Sequence, residues 1–253
     1  HGFSDCADLV DAPARCRVAS ASTYGIIPYH LSGNTTGWLW VMDITWYGHS
    51  CFKVTERNYI TIVTDPFDEA LGYALPKLKA DIVTVSHDAP GHNNLAAVKG
   101  FRHVIDGPGE YEIGGVFIIG VATYNQREEN PRRNVVYVLD FDNLTVAHLG
   151  DLDHVPTQAM IDALGSIDVA LVPVGGGGAL SSSQAAEVIS LLEPSIVVPM
   201  HYHTEALRGV ELDPVDRFLK EMGINSYQEE PMLRVSSGSL PEQTQVVILD
   251  YRQ

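Results

Sequence analysis

Asp81-Ile82-Val83-Thr84-Val85-Ser86-His87-Asp88-Ala89-Pro90-Gly91-His92 is the stretch on which the reading of the whole chain turns. Its first five residues are short, largely apolar and β-branched, the pattern of a buried strand. Pro90 and Gly91 then break the run. A proline gives no N–H to a ladder, so the chain must turn and its side chains are free to converge on a ligand. His87 and His92 therefore stand on a sharp turn at the carboxyl end of a strand, where an open α/β sheet places its chemistry.

Moving outward toward the N-terminus, Asp43–Tyr47, Cys51–Val54 and Tyr59–Thr64 read as consecutive strands of a meander, with Gly48-His49-Ser50 between the first two. Leu75–Leu78 and Leu95–Val98 read as short helical pieces, Arg102–Ile105 as a strand and Gly107–Glu110 as a turn. Strands follow at Val116–Val121, Val135–Leu139 and Leu144–His148. The second half alternates strand and helix. Pro156–Leu164 is expected to be helical with Gly165 as its stop, and Val169–Val172 to be a strand entering Gly175–Gly178. Ser181-Ser182-Ser183 opens an amphipathic helix over 182–193, with Ala185, Val188, Ile189 and Leu192 on one face. Ile196–Met200 is a strand that delivers His201. Asp213 is expected to cap a helix over 213–222 with Pro214 at its first position, before closing strands near Met232–Val235 and Val246–Leu249.

Residues 1–41 differ from the rest: they hold no lysine, no glutamate and no sustained period. They read as an N-terminal extension, with the natural domain at 42–253 and Met42 as its start. No basic stretch leads into an apolar one there, so no secretory signal is expected.

The 253 residues carry a net charge of −16 with no Lys/Arg cluster, which argues against a nucleic-acid partner. No apolar run approaches a bilayer span, so a membrane partner is not expected either. The three cysteines, Cys6, Cys16 and Cys51, form no CxxC pair, and their odd number fits a reducing, cytoplasmic setting; a Cys6–Cys16 bridge stays open. Gly175–Gly178 lacks the Lys-Ser/Thr of a phosphate-binding loop and reads as a flexible loop beside the site.

His87, His92, Asp151 and His201 all fall at the ends of expected strands or just after them. Imidazoles and a carboxylate from separate strand ends make the mixed nitrogen and oxygen set that zinc accepts. Such a set leaves a coordination position open, and water bound there ionises near neutral pH, ready for hydrolysis.

At this point the chain resembles the metallo-β-lactamase superfamily, in its lactonase-like, zinc-dependent hydrolase branch. The matching stretches are Gly48–Phe52, Thr64-Asp65-Pro66, Ser86-His87 through His92, Gly107–Tyr111, His148–Asp151 and Val198–Tyr202. The resemblance implies an α/β fold, a four-layer αβ/βα sandwich with a metal site at one edge of its two sheets. The family signature His-x-His-x-Asp-His is incomplete here: its second histidine is Ala89 and its aspartate is Gly91. A further family histidine falls where this chain has Tyr124-Asn125. By resemblance, Asp151 would bridge two metals, of which one site keeps only His87 and Asp151 while the other keeps His92, Asp151 and His201.

The expectation is therefore one metal ion at most, zinc (Zn) with manganese or iron as alternatives, held by His92, Asp151 and His201. His87 or His49 would assist, His49 compensating for Ala89, and Asp151 and His87 would take part in catalysis. Asp65 would orient a histidine by accepting its ring N–H. Asp88 is a candidate to swing in, Glu110 to cap a turn, His148 to be packed or functional, and His154 and His203 to be exposed. The function expected is metal-dependent hydrolysis of an ester, lactone or phosphodiester in a small-molecule substrate. The alternative is a non-catalytic relative that has lost the metal and acts as a binding or regulatory module.

Overall fold

The structure, a computed structural model, describes residues 41–57, 59–125 and 131–251. The reading of 1–41 as an extension, and the cysteines Cys6 and Cys16, lie outside the described residues apart from Val41.

Two sheets face each other. The first runs in the order Leu233–Val235 (β15), Met42–Trp46 (β1), Phe52–Glu56 (β2), Thr61–Thr64 (β3), Ile82–Thr84 (β5) and His103–Ile105 (β7). The second begins with Gln245–Val246 (β16), Ile196–Met200 (β13), Val169–Pro173 (β12) and Thr145–His148 (β11). It continues through Arg133–Asp140 (β10), Val116–Tyr124 (β9) and Gly109–Ile113 (β8). Leu78–Lys79 (β4) pairs with Val98–Lys99 (β6), and Glu229–Glu230 (β14) with Ile248–Leu249 (β17). The helices are Gln158–Leu164 (α1), Ser182–Leu192 (α2) and Val215–Glu221 (α3).

Sequence pattern sets these elements. Met42, Ile44 and Trp46 alternate inward along β1, as Phe52 and Val54 do along β2, so each antiparallel strand has one core face. β12 and β13 are buried at every residue, which suits parallel strands covered on both sides. One large core joins Trp46, Phe52 and Ile62 of the first sheet to Ile118, Tyr137 and Val197 of the second. The sheets are also tied by polar bonds. The Tyr137 hydroxyl lies 3.0 Å from the carbonyls of Val85 and Ile105, and the Val135 N–H donates to the Ser86 carbonyl at 2.8 Å.

The architecture is the αβ/βα sandwich, with unequal outer layers. Val188, Ile189 and Phe218 carry α2 and α3 into the main core. The outer face of the first sheet, around Val63 and Val83, is instead covered by Phe67, Leu71, Tyr73 and Leu207 from loops and turns. Leu75–Leu78 forms no helix, because Pro76 disfavours helical backbone at Leu75 and four residues cannot nucleate one. Leu95–Ala97 is a single 3₁₀ turn. Gly109 and Glu110, expected in a turn, open β8 and pair with Gly120 and Ile119. α3 is capped by Pro214 rather than Asp213, whose carboxylate instead takes the Arg217 guanidinium at 2.6 Å. α2 starts as expected, with Ser181 and Gln184 in a reciprocal capping box.

Candidate metal centre

Five strand ends meet at one edge. His49 lies on the turn after β1, Asp65 follows β3, His87 and His92 follow β5, Asp151 follows β11, and His201 follows β13. All of these but Asp151 are 3% exposed or less. Left-handed backbone is concentrated here. Of five non-glycine residues with positive φ among the described residues, three are His49 (51°), Asp65 (38°) and His201 (51°). Such strain persists only where the surroundings over-determine it, and it gathers at functional sites.

A hydrogen-bond network fixes how the first sheet presents its imidazoles. The Asp65 carboxylate accepts the Ser86 N–H at 2.7 Å and the Ser86 hydroxyl at 2.6 Å. Because that hydroxyl proton is committed to Asp65, Ser86 Oγ can only accept from His87 Nδ1, 2.9 Å away. His92 Nδ1–H likewise donates to Asp65 at 3.0 Å. Both rings thereby carry their proton on Nδ1 and turn a bare Nε2 inward.

Those nitrogens meet other acceptors. His87 Nε2 and His92 Nε2 each lie 3.5 Å from Asp151 Oδ2, and His201 Nε2 lies 3.4 Å from Asp151 Oδ1. His49 Nε2 is 3.2 Å from His92 Nε2. His87 Nε2 and Asp151 Oδ1 are buried with no hydrogen-bond partner. Lone pairs facing one another at such distances repel unless a cation or a proton lies among them. Donor separations of 3.2–3.5 Å are also close to the edge of a zinc tetrahedron, roughly 3.3 Å for bonds of about 2.0–2.1 Å. The residues present thus fit a divalent ion. Two donor triads are close enough to hold one, His49/His92/His201 and His87/His92/Asp151, and they share His92.

Electrostatics follow the same geometry. Burial, then His201 and His92, push His49 well below the usual imidazole range, and burial with His92 lowers His87 to about 4. Burial lowers His201 as well. Burial would lower His92 too, but Asp151 and Asp65 outweigh it and raise it. Burial pushes Asp151 upward, yet His92, His201 and His87 together hold it far below the ordinary carboxylate range.

The remaining candidates separate. His148 is fully buried; its Nε2–H donates to the Ser50 carbonyl at 2.9 Å and its Nδ1 accepts from Gly150 N–H at 3.3 Å. It clamps the loops of His49 and Asp151 without facing the donors. Asp88 is exposed and accepts from the Asn93 amide, Glu110 is exposed on β8, and Tyr124 is 55% exposed. Asn125 is buried, with its N–H on the Arg132 carbonyl. His203 is exposed, while His154 is half-buried with Nδ1 2.7 Å from Asp153. Gly175–Gly178 is anchored: Gly175 N–H donates to the His201 carbonyl, and its own carbonyl accepts from Asp213 N–H. Sequence reasoning did not find Asn134, which accepts the Asp151 N–H at 2.9 Å, nor Trp46 Nε1–H, which holds the His49 carbonyl at 3.1 Å. Both belong to strands that look like core, so no local signal marks them.

The profile of the family described as Beta-lactamase superfamily domain matches residues 43–201. The chain belongs to the metallo-β-lactamase superfamily. A UPF0173 protein of Pyrococcus furiosus is 31% identical over 203 residues, 72% of this chain and 90% of the relative. A UPF0173 metal-dependent hydrolase of Thermococcus kodakarensis is 37% identical over 194 residues, 65% of this chain and 86% of the relative. A crystal structure from Thermotoga maritima, titled for a proposed zinc-dependent hydrolase of the superfamily, superposes with a TM-score of 0.68 at 41% identity. It covers 82% of this chain and 98% of its own.

Proposed function

We propose that this superfamily member is a metal-dependent hydrolase with one divalent ion, zinc foremost, held by His92, His201 and Asp151 with His49 as the added ligand. The observation that carries the reading is the convergence of the His87, His92 and His201 Nε2 atoms on Asp151, with His87 and His92 turning bare nitrogens inward and both His87 Nε2 and Asp151 Oδ1 buried without a partner. The names of the relatives support it. An ion held there would act as a Lewis acid and lower the pKa of water. His87 stands beside His92 on the same Asp151 oxygen, Oδ2, while His201 faces Oδ1. The proton of His87 is fixed on Nδ1 by Ser86, and the ring's value of about 4 leaves Nε2 bare at neutral pH. It is thus placed to accept a proton from a nucleophilic water. Asp151 keeps the surrounding imidazoles oriented and balances their charge.

The substrate class follows as an ester, lactone or phosphodiester of a small molecule. The charge of −16 disfavours nucleic acid. No helix among the described residues is long and apolar enough to cross a membrane. A cytoplasmic setting suits Cys51, a buried free thiol.

A second reading, a binding module without turnover, is favoured by one observation. Gly91, with φ of 96°, stands where the family has its carboxylate, and a side chain there would be strained and would start 3.1 Å from Leu71 and 3.4 Å from His49 Nε2. Elemental analysis of protein purified without chelator tests both, followed by assay on chromogenic esters, lactones and phosphodiesters. About one ion per chain with turnover supports the hydrolase. One ion without turnover rejects hydrolysis of these substrates, and no ion after incubation with zinc, manganese or iron rejects the metal centre and selects the binding module.

A further inference from the structure

Beside the metal edge stands a positive charge without a counter-ion. Arg132 lies directly before β10, and its carbonyl accepts the Asn125 N–H at 2.9 Å. Two residues on, the Asn134 side-chain oxygen accepts the Asp151 N–H at 2.9 Å, so one strand end both carries Arg132 and anchors Asp151. The Arg132 side chain is exposed, and among the described residues its guanidinium has no carboxylate partner. Its neighbour Arg133 is by contrast tied to the Asp106 carbonyl at 2.7 Å. In a chain with 32 acidic residues against 16 lysines and arginines, a guanidinium that meets no carboxylate runs against the composition.

That charge reaches the centre. It acts to lower both His87 and His92, the two rings whose Nε2 atoms lie 3.5 Å from Asp151 Oδ2. A guanidinium beside imidazoles that are to hold a cation is repelled by what they hold, whereas an anion between them attracts both. Space for the rest of such a ligand opens at the same strand end. A cavity of about 540 Å³ is lined by Asn125 and Pro131, with Val121, Tyr124 and Met160 as an apolar wall. Thr123, also in its lining, accepts the Asn134 amide at 3.1 Å, so the cavity and the Asp151 loop share one anchor.

We propose that Arg132 recognises the reacting group of the substrate as a phosphodiester, taking its two non-bridging oxygens, while one organic substituent lies in the cavity against Val121, Tyr124 and Met160. The proposal deepens the hydrolase reading and rests on it. A guanidinium fork matches a pair of phosphate oxygens, and the charged contact is about twice as strong as a neutral one. An ester or lactone carbonyl is neutral and gives the guanidinium no charge to balance. The net charge of −16 repels an anion at long range, so a local cation is what lets one settle at this edge. In the reaction, water attacks phosphorus and its proton passes to His87 Nε2. The bond from phosphorus to the leaving alkoxide breaks, and that alkoxide takes a proton from solvent, giving a phosphomonoester and an alcohol.

Titration calorimetry with diethyl phosphate, a monoanion with poor leaving groups, reads recognition apart from turnover on zinc-loaded and chelator-treated full chain. Sodium butyrate is the carboxylate comparison. Diethyl phosphate should bind saturably and at least about tenfold more tightly than butyrate. Arg132→Gln should weaken it about tenfold or more, and Arg132→Lys, which keeps the charge without the fork, should recover part of the loss. On bis(p-nitrophenyl) phosphate Arg132→Gln should lower kcat/KM at least about tenfold, with p-nitrophenyl butyrate changed by less than about twofold and the melting temperature unchanged. Four results overturn the proposal: no binding of diethyl phosphate in either form up to about 10 mM, butyrate bound as tightly, wild-type affinity in Arg132→Gln, or equal losses on the two chromogenic substrates. Arg132-dependent binding of diethyl phosphate without turnover of either chromogenic substrate supports Arg132 as the phosphate-recognising residue and counts against the hydrolase reading instead.

Discussion

The two sheets bring their residues to the same edge by different means. The first sheet presents His87 and His92 through side chains, with Asp65 and Ser86 setting both protons, and its outer face is covered, among the described residues, by loops and turns. The second presents Asp151 and His201 through backbone. Asp151 hangs from Asn134 by its N–H, and the His201 N–H and carbonyl are taken by the His49 carbonyl and the Gly175 N–H. Side-chain networks can be edited one atom at a time while the chain stays folded. A backbone arrangement cannot, since any added atom meets main chain. The first sheet therefore tunes the centre and the second fixes where it is.

The largest expected effect tests whether Asp151 is the shared point of that construction. Asp151→Asn keeps the shape and removes the charge that four imidazoles face, so bound metal should fall from about one ion per chain to a trace, read by elemental analysis. Retention of a full equivalent would show that the imidazoles suffice and that the two sheets contribute unequally.

Next comes the network of the first sheet. Asp65→Asn deprives His92 and Ser86 of a charged acceptor and unlocks both tautomers. Metal affinity should drop about 10–100-fold, as for other residues that orient ligands, with circular dichroism unchanged. Unfolding instead of weakened binding would place Asp65 on the structural side of the comparison.

Gly175→Ala probes the second sheet. Its Cβ would lie 2.4 Å from the His201 carbonyl and 2.7 Å from Tyr202 Cα. Thermal unfolding should show a loss of about 1–3 kcal/mol, together with weaker metal binding, since the clash is relieved only by moving His201. A neutral outcome would mean that this backbone is softer than the side-chain network.

pH separates the two mechanisms in metal-free protein. His87 is lowered to about 4 against 6.5, and His49, His148 and His201 are lowered as well, so the unfolded chain binds more protons between those values. Their contribution is complete above about pH 6.5 and is lost as pH falls toward 4; His92, which is raised, opposes it in part. Melting temperature should therefore decline across that window, and a flat profile would show that the imidazoles are not buried as described.

The smallest effect is a control. Arg234→Ala removes an exposed pair with Asp43 on the edge strand β15 and should leave the denaturant unfolding midpoint and metal binding essentially unchanged, because an exposed pair is screened by solvent.

The sequence by itself determined the fold class and the chemistry-bearing strand ends. Strand period, turn residues and the cap at Ser181 are local signals, and His87, His92, Asp151 and His201 sit directly beside them. Local signals failed where context overruled them: at Leu75–Leu78, where Pro76 and a short run gave no helix, and at Asp213, whose carboxylate was drawn to Arg217. What only the tertiary structure decided was which nitrogen each imidazole turns inward, how His49 comes to stand beside Gly91, and that the charge of Arg132 reaches His87 and His92. Those outcomes depend on contacts between residues tens to hundreds of positions apart, such as Ser50 with His148 and Trp46 with Tyr251. Such contacts leave no period in the sequence, because they arise only when the two sheets pack.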